Sequence, residues 1–352
     1  MIKKIHYILP CLILLSGSLR GQIGGFNTYQ FLGFTNSARM AALGGSSLAV
    51  NDHDLSLTQA NPSLIDAEMA NNMSLSYVNA PGGINYGFVA YSHTFQKAGS
   101  FSGALQYINY GKFTGMDASE NPTGDFTASE YALNIGWGRR LTPLFSIGAN
   151  GKLIYSQLEQ YRSFGIAIDV AGSYTSKDQS FTASLIAHNF GIEISPYVSG
   201  QRTPLPFELQ IALSEKLKHI PLRFTQTFTN LNRWDLTYFD PDDPDNQPDP
   251  ITGEVKEKTG AGQFADNFLR HIVLGAELTI AKVVQVRAGY NFQRHKELKL
   301  YGSSSISSGL SMGAGLRIKM FHLDYALSFD IPGKTRNYLT LSVNFREFTK
   351  KQ

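Results

Sequence analysis

The sequence predicts an all-β protein: a transmembrane antiparallel β-barrel of about fourteen strands with a small N-terminal helical or loop plug. Three observations predict it. From Asn72 onward, apolar and polar side chains alternate in runs of about ten residues that end in turns, the period of a strand and not of a helix. One face of these runs is almost free of charge, while the other carries glycine, serine and charges of both signs. Lipid outside and a polar lumen inside produce that division. Finally, short and long connections alternate along the chain, as they do when one rim of a barrel carries tight turns and the other carries loops.

The elements follow in order. Lys3 and Lys4 precede an apolar stretch from Ile5 to Leu15, then Ser16, Gly17 and Ser18, then Gly21. This is the pattern of a secretory signal, residues 1–21, with cleavage after Gly21 or after Ser18. Cys11, the only cysteine, lies inside it, so the expected mature chain has no disulfide and no cysteine-based metal site. The formal net charge is +3 over 352 residues. Removing residues 1–21 takes away Lys3, Lys4 and Arg20 and no acid, which leaves a neutral chain and no electrostatic case for nucleic-acid binding. No later apolar run approaches the roughly 18 residues of a spanning helix.

Residues 22–71 form the expected plug. Ser37 to Leu64 is crowded with small residues, among them Ala38, Ala41, Ala42, Gly44, Gly45, Ser46, Ser47 and Ala49. Ser37 reads as a helix N-cap and Gly44–Gly45 as a stop. Asn61 reads as the cap of a second short helix with Pro62 at its first position and Asp66 and Glu68 early within it.

Residues 72–346 form the expected barrel, and 347–352 a short periplasmic tail. Strands are expected to begin near Met73, Tyr86, Phe101, Tyr131, Phe145, Phe164, Phe181, Phe207, Leu222, Phe268, Val284, Leu310, Phe321 and Tyr338. The final run shows the pattern best, with Leu339, Leu341, Val343 and Phe345 against Thr340, Ser342 and Asn344. In the run after Phe268, Ile272, Leu274, Ala276 and Leu278 are expected on the lipid face. With the first strand rising from the periplasm, the connections at 96–99, 140–143, 176–180, 215–221, 281–282 and 319–320 are all periplasmic and short. The long connections, 111–126, 191–204, 230–266 and 294–307, all fall outside the cell.

Motifs for chemistry are few. Gly309-Leu310-Ser311-Met312-Gly313 matches a nucleophile elbow, but the serine sits in mid-strand with no helix after it. His53 between Asp52 and Asp54 offers metal-ligand types, yet adjacent residues rarely converge on one ion, so a plug contact is expected. Asp169, Glu208, Arg223, Glu277, Arg287, Arg317 and Asp324 are expected to point into the lumen. There they form a polar network that seals the interior, with a catalytic or transport constellation as the alternative. The acidic stretch Asp240–Pro250 reads as a solvated loop. Asp240, Asp242, Asp243 and Asp245 are a weak calcium candidate, because the glycine and terminal glutamate of an EF-hand loop are missing. No catalytic site and no cofactor are expected.

Several short motifs carry a resemblance that runs over nearly the whole mature chain. Asn61-Pro62-Ser63-Leu64 resembles the NPA-type motif in the N-terminal hatch of FadL-like outer-membrane barrels. Asn189-Phe190-Gly191, Val286-Arg287-Ala288-Gly289-Tyr290 and Leu323-Asp324-Tyr325-Ala326 look like strand signatures of that superfamily. Within it, Tyr29–Gly45 resembles the opening of the PorV/PorQ family of the Bacteroidetes type IX secretion system. Asn36 and Ser37 stand where PorV-type members carry an acidic residue, which places the chain with the PorQ-type branch. Arg39, Gly44, Gly45, Asn61 and Pro62 then correspond to the hatch motif. The resemblance implies a non-catalytic component of the cell-surface attachment complex in a Gram-negative outer membrane, in contact with lipid and lipopolysaccharide. Its implied partners are a PorZ-like surface protein and the PorU and PorV proteins. Asp235, Asp240, Asp243, Asp249, Lys296 and Lys299 in the outer loops are candidate partner contacts. The alternatives are FadL-type uptake of hydrophobic small molecules, which needs an apolar cavity beside the hatch, and a soluble β-sandwich adhesin.

Overall fold

The computed structural model describes residues 27–237, 260–298, 307–331 and 334–346. The expected signal segment, Asp240, Asp242, Asp243, Asp245, Asp249, Lys299 and the tail 347–352 lie outside the described residues. Fourteen strands close into one antiparallel barrel. They are β1 (Asn72–Asn79), β2 (Asn85–Phe95), β3 (Gly99–Met116), β4 (Pro122–Arg140), β5 (Phe145–Leu158), β6 (Tyr161–Thr175), β7 (Phe181–Ser195), β8 (Glu208–Lys216), β9 (Leu222–Phe228), β10 (Ile272–Ile280), β11 (Val284–Asn291), β12 (Leu310–Ile318), β13 (Phe321–Ile331) and β14 (Lys334–Asn344). Each pairs with its neighbours in sequence. The first and last strands join from Asn72 opposite Asn344 to Asn79 opposite Asn337, so no edge is left unpaired.

The alternation in the sequence becomes inside and outside. Leu133, Ile135, Ile166, Ile168, Val170, Leu185, Val286, Leu323 and Leu339 are exposed on the outer surface. The residues between them, including Asn134, Asp169, Ser184, Arg287 and Asp324, are buried in the lumen. A soluble sandwich would bury that aliphatic belt; here it is what the lipid covers. Ile272, expected in the belt, is buried instead.

Two expected boundaries change. Residues 111–126 are not an open loop: β3 and β4 stay paired beyond the barrel, with Lys112 opposite Thr127 and Phe113 stacked on Phe126 at 5.3 Å. The strand expected from Tyr131 therefore begins at Pro122. Phe268 does not start a strand. It belongs to a helix, Gly260–Arg270, whose Phe264 and Phe268 are one helical turn apart, a spacing that also shares one face of a strand. A second helix, Phe292–Leu298, takes the first part of the connection expected as loop at 294–307.

The plug runs the height of the lumen. At the outer end, the Thr28 amide donates to Pro204 O at 3.0 Å and the Tyr29 hydroxyl bonds Ser163. α1 (Ala38–Ala42) follows at mid-height, capped by Ser37, whose Oγ accepts from the Met40 amide, and ended by Gly44 and Gly45 at φ +96° and +93°. Single 3-10 turns at Leu55–Leu57, Pro62–Leu64 and Ala67–Met69 then lead to β1 from the end of the barrel that carries the short turns. Asp66 and Glu68 do not sit in the turn that Asn61 caps. Ile65 is extended at ψ 119°, which ends that turn, and Asp66 caps the next one through the Glu68 amide. The later helices are numbered α2 (Gly260–Arg270) and α3 (Phe292–Leu298).

Candidate functional site

The feature that sets this lumen apart is the way the plug is fastened. Gly148 and Gly289 show the steric part. A methyl on Gly148 would overlap the Pro62 backbone, and one on Gly289 the Leu43–Gly44 backbone, so wall and plug meet main chain to main chain. The GLSMG serine is part of this seat. Ser311 Oγ accepts from the Gly44 amide at 3.1 Å and donates to Ala42 O at 3.3 Å, which is a docking contact and not a nucleophile.

The electrostatic part centres on Arg39, which is 2% exposed on α1. Its guanidinium grips Glu277 of β10 with two bonds, Nε to Oε2 at 2.8 Å and Nη2 to Oε1 at 2.7 Å. It grips Asp52 with two more at 2.9 and 2.6 Å, and reaches Asp54 at 3.0 Å. Arg287 of β11 bonds Glu277 at 2.6 Å and Asp324 of β13 at 2.5 Å. Arg223 of β9 closes the group, 2.8 Å from Asp52 and 3.4 Å from Glu277. Three guanidinium groups and four carboxylates thus tie the plug to four strands. Planar bidentate pairs of this kind hold orientation as well as charge, which an ammonium cannot do.

The expected lumen residues are distributed unevenly. Arg223, Glu277, Arg287 and Asp324 meet in this one cluster. Asp169 stands across the lumen with Lys152 at 2.8 Å, and accepts from the Asn189 amide at 2.8 Å, where Asn189 is left-handed at φ +56°. Glu208 sits at the outer rim and accepts from Gln210 Nε2 and the Asn230 amide. Arg317 is exposed near the short turn between β12 and β13 and joins neither cluster. The sequence reading placed Arg39 only in the hatch motif, and took Asp52 and Asp54 only as neighbours of His53. It also passed over Lys152 and His322. The two-residue spacings Asp52/Asp54 and His322/Asp324 were the available signal, since they put both members on one face of extended chain.

His53 lies at the end of the barrel that carries the short turns, with Nδ1 2.6 Å from Asp66 Oδ2. The hydrogen bond to Asp66 raises its pKa above the ordinary value, against a smaller opposing effect of burial. Asp54, His322 and Asp324 offer ligand atoms within 4.8 Å of one another. The Asp54 carboxylate already accepts from Arg39 and the Ser56 amide, and that of Asp324 from Arg287. Those lone pairs serve the ion pairs, and a metal would have to displace guanidinium groups to use them. Of the candidate partner contacts within the described residues, Asp235 is exposed and accepts from Thr237. Lys296 on α3 pairs with Asp266 of α2 at 2.7 Å.

One cavity beside the plug, about 100 Å³, lies between Phe34, Gln59, Gln106, Asn134, Lys152 and Gln210, and another, about 250 Å³, lies between Asp52, His53, Glu68, Arg317 and Lys319. A larger groove, about 480 Å³, lies on the wall of β8–β11, against Leu213, Phe224, Leu274, Ala288 and Tyr290. The exposed side chains among these face outward, so the groove opens toward lipid rather than into the lumen.

The sequence matches no family model, and the comparison with curated proteins gives no match. Among solved structures, the Pseudomonas putida toluene transporter TodX is similar with a TM-score of 0.52 at 12% identity, over 88% of this chain and 96% of that one. The deltaS2S3 mutant of the TodX monoaromatic hydrocarbon channel is similar with a TM-score of 0.50 at 12% identity, over 89% and 99%. A Pseudomonas aeruginosa FadL homologue has a TM-score of 0.46, also at 12% identity, over 89% and 98%. The likeness concerns the fold alone: a closed, fourteen-stranded antiparallel barrel.

Proposed function

We propose that this FadL-like outer-membrane barrel is a non-catalytic scaffold. In this reading it is the PorQ-type component of the type IX secretion attachment complex and holds a PorZ-like surface protein beside PorU and PorV. The observation that carries the scaffold part is the filled lumen. A plug reaching from Thr28 to the turns before β1 is pinned to the wall by Arg39 on Glu277 and by Asp52 on Arg223. Beside it the described residues leave a space of about 100 Å³ whose lining mixes polar and apolar groups, and one of about 250 Å³ bordered by Asp52, His53, Glu68, Arg317 and Lys319. A hydrophobic solute needs an apolar cavity of some 300 Å³ or more. The partner assignment rests on the resemblance of Tyr29–Gly45 and on outer loops large enough to dock a protein.

The test is removal of residues 235–259. The barrel should stay in the outer membrane while the surface partner is lost from solubilised complexes read by mass spectrometry. Full retention after every long outer loop is trimmed would refute the scaffold. A second reading, uptake of hydrophobic small molecules, is favoured by the fold likeness to TodX and by the 480 Å³ apolar groove. Hydrocarbon entry into vesicles carrying the purified barrel, absent from empty vesicles, would establish it over the scaffold.

A further inference from the structure

The helix α2 is inside out. Its polar side chains turn toward the protein: Asn267 is buried and its Oδ1 accepts from the Leu236 amide at 3.1 Å, while Asp266 pairs with Arg270 at 2.9 Å and with Lys296 of α3 at 2.7 Å. Its apolar side chains turn away. Phe264 is 59% exposed, and Phe268 and Leu269 are exposed beside it. On a helix these two sets lie on opposite faces. In water that orientation discards the main gain of an amphipathic helix, since its apolar face stays wet. In lipid it is the stable orientation.

The wall beneath gives the reason. α2 joins β9 to β10 at the outer rim. β9 has seven residues and β11 eight, against 18 and 19 for β3 and β4. Seven residues rise about 23 Å even without tilt, short of the roughly 30 Å hydrocarbon core. The aromatic surface continues upward from the wall without a break. Phe228, the last residue of β9, meets Phe268 at 6.5 Å, Phe268 stacks with Phe264 at 6.3 Å, and Phe264 meets the exposed Trp234 at 5.2 Å. A tryptophan at the top of such a ladder suits the membrane–water boundary.

We propose that α2 is an interfacial membrane helix whose outward face lies among the acyl chains of the outer leaflet and completes the apolar belt where β8–β11 fall short. The occupant of this patch is lipid, as continuity with the lipid-facing wall requires. The proposal rests on the barrel being a membrane barrel and is independent of which partner the loops bind.

Trp137 and Trp234 are the chain's two tryptophans, so Trp137→Phe isolates the reporter. The full chain is reconstituted in phosphatidylcholine vesicles brominated either along the acyl chains or not at all. Trp234 should emit at short wavelength, lose most of its emission in the acyl-brominated vesicles, and resist iodide added to the water. Emission untouched by bromine and quenched by iodide to the level of free tryptophan overturns the proposal; the patch then faces water or awaits a protein. A second measurement avoids the tryptophan change. Phe264→Cys and Ser119→Cys are labelled on intact cells with a membrane-impermeant maleimide, with wild type, whose only cysteine is Cys11, as baseline. Labelling at Ser119→Cys but not at Phe264→Cys supports lipid burial, and equal labelling overturns it.

Discussion

The plug is held differently by the two sides of the barrel. Against the long strands β4–β7 it is seated by neutral groups. Asn61 Nδ2 donates to Ser173 Oγ at 3.4 Å, Ser63 Oγ meets Ser173 Oγ at 2.6 Å, and Asn150 Nδ2 donates to Gln59 O at 3.0 Å. Against the shorter strands β9–β13 it is seated by Arg39 and Asp52 in ion pairs with Glu277, Arg223 and, through Glu277, Arg287, with Asp54 holding Arg39 from within the plug. The difference teaches how a plug gets one position in a smooth lumen. Neutral hydrogen bonds between small residues tolerate a slip, because another serine is always near. A buried bidentate arginine does not, because leaving one carboxylate unpaired in a low-dielectric site is costly.

That contrast can be broken most strongly at Arg39. Arg39→Met leaves four carboxylates facing two arginines and should cost about 3–5 kcal/mol, read as a lower unfolding midpoint of the barrel in detergent. Glu277→Gln added to it should cost clearly less than the two single changes summed, because the groups share one network. Additive losses would show that the cluster does not act as a unit.

Next comes the wall itself. Gly289→Leu pushes a side chain into the Gly44 backbone and should cost about 1–3 kcal/mol by overpacking. Gly151→Leu is the matched control in β5, where an added side chain meets open space. It should change the midpoint little, so equal effects at both positions would remove the case for close wall–plug contact on the short side.

A smaller effect is expected at the neutral seat. Asn61→Ala removes the cap on the Ser63 amide and should cost about 1 kcal/mol. A wild-type midpoint would mean that the neutral seat bears nothing.

The smallest effect is a pH dependence at the short-turn end of the barrel. Because Asp66 raises the pKa of His53, protonated His53 favours the folded plug. That contribution is fully present below the ordinary histidine value of about 6.5 and is lost as pH rises through the raised value. The midpoint should therefore fall slightly more across this window in wild type than in Asp66→Asn. Superimposable pH profiles would exclude the pair as a contributor.

Much of this architecture was written in local periodicity. A two-residue period states which side chains face lipid, and a one-residue slip would wet the whole apolar face, so runs such as Leu339–Phe345 could be read without a structure. Caps are local too, which is why Ser37 and Asn61 were legible. The boundaries that failed did so where local signals compete. Phe268 fits a strand alternation and a helical turn equally well, and its neighbours in space, Phe228 and Trp234, decided for the helix. At 111–126 the glycines that suggest a loop also permit a twisted hairpin.

What the sequence alone determined, then, is what repeats along the chain: an alternating barrel of fourteen strands with a small-residue segment ahead of it. Only the tertiary structure decided which charges meet. Arg39 and Glu277 are 238 positions apart, and nothing local couples them. They pair because closing the barrel on the plug packs α1 against β11–β14 and carries the Arg39 side chain to the Glu277 carboxylate of β10, both buried. The outward turn of α2 has the same origin, since its amphipathic pattern is symmetric in sequence. Only its place above a short wall says that the apolar half belongs to lipid.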